Sequence, residues 1–181
     1  MLKAATNRTR RTIYAVAALM AIALAAVTVN TAPSQAQAPP PILVEPLTPR
    51  SVFPDEASGQ FRNKLSGHGT EVVNMKDLSR TIVVRFTVQP RARFPWHSHP
   101  GLVVVNITQG ELVYVPASDC VARSYPAGTA FVDPGHGHVH TAYNPSTEGV
   151  TVFYATFFDF PATGPLSITE GIEEPDCQLE I

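Results

Sequence analysis

Pro95-Trp96-His97-Ser98-His99-Pro100-Gly101-Leu102-Val103-Val104-Val105-Asn106-Ile107-Thr108-Gln109-Gly110 is the stretch that decides how this chain is read. Its second half is apolar and β-branched and ends at a glycine, the texture of a strand. In extended backbone, residues i and i+2 point to the same side. His97 and His99 therefore aim two imidazoles at one point. A second cluster lies downstream, Pro134-Gly135-His136-Gly137-His138-Val139-His140. There, His140 opens a strand after a glycine-rich turn that can carry it across to the first pair. Five of the six histidines fall in these two groups. Imidazole ligates zinc, iron, nickel and manganese, so the pattern points to a metal site. A pH-responsive histidine cluster is the competing reading. His68, between Gly67 and Gly69, reads as a loop residue.

Working outward, short β-rich runs alternate with turn residues. Thr81–Val88 has apolar residues at its even positions and mixed ones at the odd. Leu102–Thr108, Gln109-Gly110 and Glu111–Val115 read as a hairpin. Thr129–Val132 runs into Asp133-Pro134-Gly135, a turn signal, and Val139–Tyr143 and Val150–Phe158 close the series. No helical period appears after residue 38. Many short strands at regular intervals predict an all-β sandwich or barrel.

The two histidine clusters resemble the paired motifs of the cupin superfamily. After His97-Ser98-His99 come three residues, Val103, six residues and Gly110. After Gly128 come five residues, Pro134, then Gly135-His136-Gly137, two residues, His140, three residues and Asn144, with one residue more than the family pattern between Pro134 and Gly137. Seventeen residues separate the motifs, as in small cupins. The resemblance implies a double-stranded β-helix, or jelly-roll barrel, with one divalent metal ion in its mouth (iron, manganese, zinc or nickel) and His97, His99 and His140 as ligands. Two positions depart from the pattern. The first motif's opening glycine falls at Arg91, and the family's glutamate ligand falls at Val103, which cannot ligate. Three neutral ligands leave open coordination positions, which favours an anionic or oxygen-derived ligand and weakens an oxalate-type manganese reading. His138 shares parity with His140 and is a candidate fourth ligand or proton shuttle; its alternative is a turn residue thrown outward. Trp96, Val103, Arg85 and Tyr143 are candidates for the cavity lining; Tyr114 and Tyr154, like Tyr143, could line the barrel as an acid or hydrogen-bond donor, with core packing the preferred reading.

Composition sets the remaining bounds. The 181 residues suffice for one ordinary domain. Residues 1–36 read as a signal peptide: Lys3, Arg8, Arg10 and Arg11, an uncharged alanine-rich stretch from Ile13 to Val29, then small residues up to Ala36. The arginine pair also fits a twin-arginine signal beside a Sec one, and an uncleaved anchor is the alternative. Residues 37–58 read as a proline-rich linker, 59–162 as the barrel and 163–181 as a C-terminal tail. Removal of residues 1–36 leaves nine basic against 15 acidic residues, near −6, with no basic stripe. Nucleic acid is therefore a poor partner, as is a membrane once the signal is gone. An exported chain meets an oxidising periplasm or exterior, so Cys120 and Cys177 are expected to pair. Asn106-Ile107-Thr108 fits a glycosylation sequon but is read as buried. The expected function is an exported metal-dependent cupin, dioxygenase-like or lyase-like, acting on a small organic molecule. A non-catalytic periplasmic or extracellular cupin that binds metal or a small ligand is the alternative, and a homodimer is compatible with either.

Overall fold

A computed structural model describes residues 38, 40–76 and 78–179; the signal-peptide reading of residues 1–36 lies outside them. Eleven strands and no helix are found among the described residues. The organising strand is β5 (Arg80–Val88), where Ile82, Val84, Phe86 and Val88 are buried and the odd positions are half-exposed, as the alternation demands. It lies between β1 (Ile42–Pro46) and β11 (Thr151–Phe158). β11 pairs with β6 (Val103–Gln109), β6 pairs with β9 (Ala130–Asp133), and β2 (Ser51–Val52) extends the end of β5. A second sheet has the order β10 (His140–Tyr143), β7 (Glu111–Pro116), β8 (Arg123–Pro126), and β3 (Gly59–Lys64) and β4 (Thr70–Met75) form a separate hairpin. The two larger sheets face each other across one core. Val84, Phe86, Val105, Phe153 and Phe157 of the first meet Leu112, Tyr114 and Ala142 of the second. Phe86 and Phe153 stack with ring centroids 4.8 Å apart. The result is a double-sheet jelly roll of the cupin type.

Four expectations change. β6 and Glu111–Pro116 do not form a hairpin, because β6 already has β11 and β9 on its two edges. Gly110 instead turns the chain from one sheet to the other at φ +72°, where a Cβ would lie 2.7 Å from the Val150 carbonyl. The proline-rich segment is not a free linker over residues 42–52. Ile42–Pro46 adds to β5 with five register pairs, an edge position that tolerates proline. Asn106 is exposed on β6, since Val105 and Ile107 take the inward face. The C-terminal tail is not a free end: Ile168 bridges Ser98. Further on, the Cys120–Cys177 disulfide seats Ile172, Cys177 and Leu179 on the outer face of the three-stranded sheet, against Trp96, Val113, Val115 and Tyr143.

Candidate metal centre

The two histidine clusters meet through their backbones. His97 N–H donates to the His140 carbonyl and His140 N–H to the His97 carbonyl, both at 2.9 Å. This bridge fixes His97 and His140 side by side, and alternation puts His99 on the same face as His97. The ring centroids lie 4.8 Å apart for His97–His99, 4.2 Å for His97–His140 and 5.1 Å for His99–His140. One nitrogen from each ring falls within 4.8 Å of the others, and all three residues are buried.

Their hydrogen bonds decide which nitrogen is available. His97 Nδ1 lies 2.8 Å from the Pro95 carbonyl and His99 Nδ1 lies 2.7 Å from the Leu166 carbonyl. His140 Nδ1 lies 2.8 Å from Asp133 Oδ2. A carbonyl or an ionised carboxylate only accepts, so each Nδ1 carries a hydrogen, and in the neutral form of each ring the lone pair sits on Nε2. Burial lowers the His97 pKa to about 3, helped by repulsion from His140 and His99. Burial also lowers that of His99. Both rings are therefore neutral at neutral pH, the protonation state a metal ion requires. Three buried imidazoles with lone pairs on one cavity are a donor set that suits a borderline divalent cation.

Asp133, read from sequence as a turn residue only, is the ionised group behind this set. It is 1% exposed. Its Oδ2 accepts from His140 Nδ1 and from the Tyr114 hydroxyl at 3.0 Å, and its Oδ1 accepts from Gly135 N–H at 2.7 Å. Burial acts to raise its pKa, but His140, through charge and hydrogen bond, with His99 and the Gly135 N–H, outweighs burial and holds the carboxyl well below the ordinary range. The Tyr114 hydroxyl is pushed the other way, well above the ordinary phenol value, by burial and then by the neighbouring Asp133 charge. It stays protonated and remains a donor. The turn that presents Asp133 needs Gly135 at φ +64°, where a Cβ would fall 1.9 Å from the Gly101 carbonyl.

The imidazoles open on a cavity of about 50 Å³ walled by Phe86, Phe94, Val103, Phe153 and Phe157. Val103, at the position of the missing glutamate, lies in that wall. The alternation of strand faces removes three other lining candidates. Trp96 sits between the inward His97 and the residue before it and packs outward with Val113 and Tyr143. Ala142, not Tyr143, faces the cavity. Arg85 lies on the outer face of β5, paired to Glu45 at 2.5 Å. His138 is also outside the cluster: its side chain is 45% exposed and its Nδ1 lies 3.5 Å from Glu71, while its carbonyl faces His140 Nδ1 at 3.3 Å. His136 is an exposed turn residue at φ +49°. Sequence reasoning missed Asp133 and the tail residues Leu166 and Ser167. Only the adjacency of Asp133 to the Pro134-Gly135 turn, which must carry His140 inward, hinted at the first.

No family model and no curated protein matches the chain. Among solved structures, the polyketide cyclase RemF from Streptomyces resistomycificus is 17% identical, with 52% of this chain covering 63% of that one at a TM-score of 0.43. An RmlC-like cupin from Shewanella frigidimarina is 23% identical, with coverages of 43% and 65% and a TM-score of 0.38. A cupin domain of an XRE-family transcriptional regulator from Enterobacter cloacae is 16% identical, with coverages of 67% and 99% and a TM-score of 0.44. The chain thus spans less than two thirds of the first two. The likeness is one of fold and says nothing of this protein's reaction.

Proposed function

We propose that this protein is an exported metalloenzyme built on a cupin-type barrel, with one divalent ion held by His97, His99 and His140 and a small organic molecule received beside it. The observation that carries the reading is the set of three Nδ1 hydrogen bonds to pure acceptors, which in the neutral rings puts the ligating lone pair on Nε2, with all three rings on one cavity. A bound iron, manganese, zinc or nickel ion would supply Lewis-acid polarisation or, for iron, oxygen activation. The protein's own groups define the rest. Asp133 holds the proton on His140 Nδ1, fixes the ring and raises the donor strength of Nε2. Tyr114 donates to the same carboxylate and helps fix its orientation. The phenylalanine wall excludes water, and Val103 leaves coordination positions open for a substrate oxygen. A dioxygenase-like or lyase-like reaction suits a site of this kind. The Cys120–Cys177 disulfide supports export, because such bonds persist in oxidising compartments.

A binding module without turnover is the second reading. It is favoured by one observation: among the described lining residues, Asp133 already accepts three hydrogen bonds and Tyr114 is held protonated, so neither is poised as a base.

The test is metal content by elemental mass spectrometry, on protein from its native compartment and on the His97→Ala/His140→Ala variant. About one ion per chain is expected, lost in the variant. No stoichiometric metal in either protein after reconstitution overturns the metal reading. Oxygen or substrate consumption on adding Fe(II) then separates the enzyme from the binding module. N-terminal sequencing of the secreted form, expected to start at Gln37, checks the export signal.

A further inference from the structure

The inner cavity is too small to hold more than part of a substrate. About 50 Å³ accommodates only a few water-sized groups, at about 10–15 Å³ each. It continues outward, however, into a trough of about 430 Å³. Phe86, Phe94, His97 and Ser167 line both spaces and form the neck between them. The trough is completed by Ile42 and Val44 of β1, Pro95 and Leu166. Val44 is 46% exposed, an apolar side chain left facing water on an edge strand. Every trough residue beyond the neck is apolar. No lysine or arginine lines either space among the described residues. Two nearby arginines are engaged by carboxylates, Arg85 by Glu45 and Arg93 by Glu174. A charged group on the part of a substrate seated in the trough would find no side-chain cation there to offset its desolvation.

We propose that this trough binds the uncharged, apolar body of an elongated substrate, whose oxygen-bearing head (a phenol, enol or hydroxyketone) passes the neck to reach the three histidines. The proposal deepens the metal reading and rests on it for the head group alone. Recognition of the body is by apolar area, which is how small-molecule sites gain most of their affinity. β1 and the tail at Leu166-Ser167 are thus substrate-binding elements.

The test uses n-alkyl hydroxamates from acetyl to octanoyl as probes, titrated into metal-loaded full-length protein. A neutral solvent-sensitive dye, prodan, reports on the metal-free protein in parallel. Each added methylene is expected to tighten binding about three- to fourfold until the trough is filled. A chain of equal length ending in a carboxylate is expected to lose that gain. Val44→Asp should abolish the chain-length dependence and leave acetohydroxamate affinity and metal content unchanged. Leu43→Asp, on the opposite face of the same exposed strand, should leave all of them unchanged and so controls for folding. If the loaded protein binds acetohydroxamate but chain length has no effect, or the carboxylate-ended chain binds better, the trough proposal is overturned and the metal reading stands. If no metal is taken up but the longer hydroxamates displace prodan and Val44→Asp abolishes this, the trough stands and the metal reading falls. If prodan and the longer chains fail on both forms, the trough is refuted.

Discussion

Replacing Asp133 by Asn changes one atom and should disable the centre. The carboxylate accepts from three donors: His140 Nδ1–H and the Tyr114 hydroxyl on Oδ2, and Gly135 N–H on Oδ1. An amide has one accepting and one donating end. If its oxygen faces Gly135, its NH₂ faces His140, and the ring must move its hydrogen to Nε2 to accept. Nε2–H cannot ligate a metal. If instead the oxygen faces His140, the NH₂ meets the Gly135 N–H, a buried donor-to-donor contact that costs about 1–3 kcal/mol. Either arrangement penalises the tautomer with a free Nε2. Loss of a buried partner of this kind typically weakens metal binding about 10–100-fold, or about 1.4–2.8 kcal/mol. The assay is competitive titration of the metal against a chromophoric chelator, with near-UV circular dichroism to confirm that the barrel is intact. An Asp133→Asn protein that is folded and binds metal as tightly as the parent would refute the argument that this carboxylate sets the tautomer of His140.

Val103→Glu restores a carboxylate to the cavity wall, at a site only 2% exposed. It should lower the thermal midpoint of the metal-free protein and tighten metal binding by about tenfold or more (~1.4 kcal/mol), so the midpoint recovers on loading; a variant equally destabilised with and without metal would mean the side chain does not reach the ion. Cys120→Ser/Cys177→Ser opens a loop with a 57-residue separation, worth about 4 kcal/mol in the chain-entropy relation and commonly about 2–4 kcal/mol. Chemical denaturation should show that loss, and metal affinity should fall with it, because the same tail supplies the Leu166 carbonyl to His99. Acidification should destabilise the metal-free protein over a defined window. The folded-state pKa of His97 is lowered from 6.5 to about 3, so between these values the unfolded chain binds a proton that the folded chain does not. Stability is then full above about pH 6.5 and falls as pH drops toward 3; the Asp133 carboxyl, depressed by its partners, adds a further loss below about pH 4. Denaturation midpoints across this range check the slope, and a flat profile would contradict the neutral, buried state assigned to His97.

The strand alternation and the two histidine clusters were legible because they are local patterns, and the bridge between His97 and His140 joins them as expected. The same alternation, applied strictly, would have excluded Trp96, Arg85 and Tyr143 from the cavity, since each has a neighbour that must point inward. What stayed hidden depends on long-range pairing. Nothing within Leu166-Ser167 announces that its carbonyl will hold His99, 67 residues away in the chain. Nothing local to Ile42–Pro46 distinguishes an edge strand from a tether until β5 offers it an open edge. The hairpin reading of Gly110 failed for the same reason, because which sheet a strand joins is settled by partners far off in sequence.

The absent glutamate and the unforeseen aspartate are two sides of one arrangement. Val103 and Asp133 are register partners across β6 and β9. In the cupin pattern that the sequence resembles, the negative charge sits at position 103 and ligates. Here it sits across the strand pair, hydrogen-bonded to His140 and close enough to act on His99 through charge. On the proposed reading, a divalent ion would then keep its full formal charge against three neutral nitrogens, with one carboxylate acting from behind. Such a centre gains most from an oxygen that gives up its proton on binding, because that anion supplies the charge position 103 lacks. An apolar trough without cations fits the same logic. The charge partner of the substrate head would be the ion, and the rest of the molecule would need none.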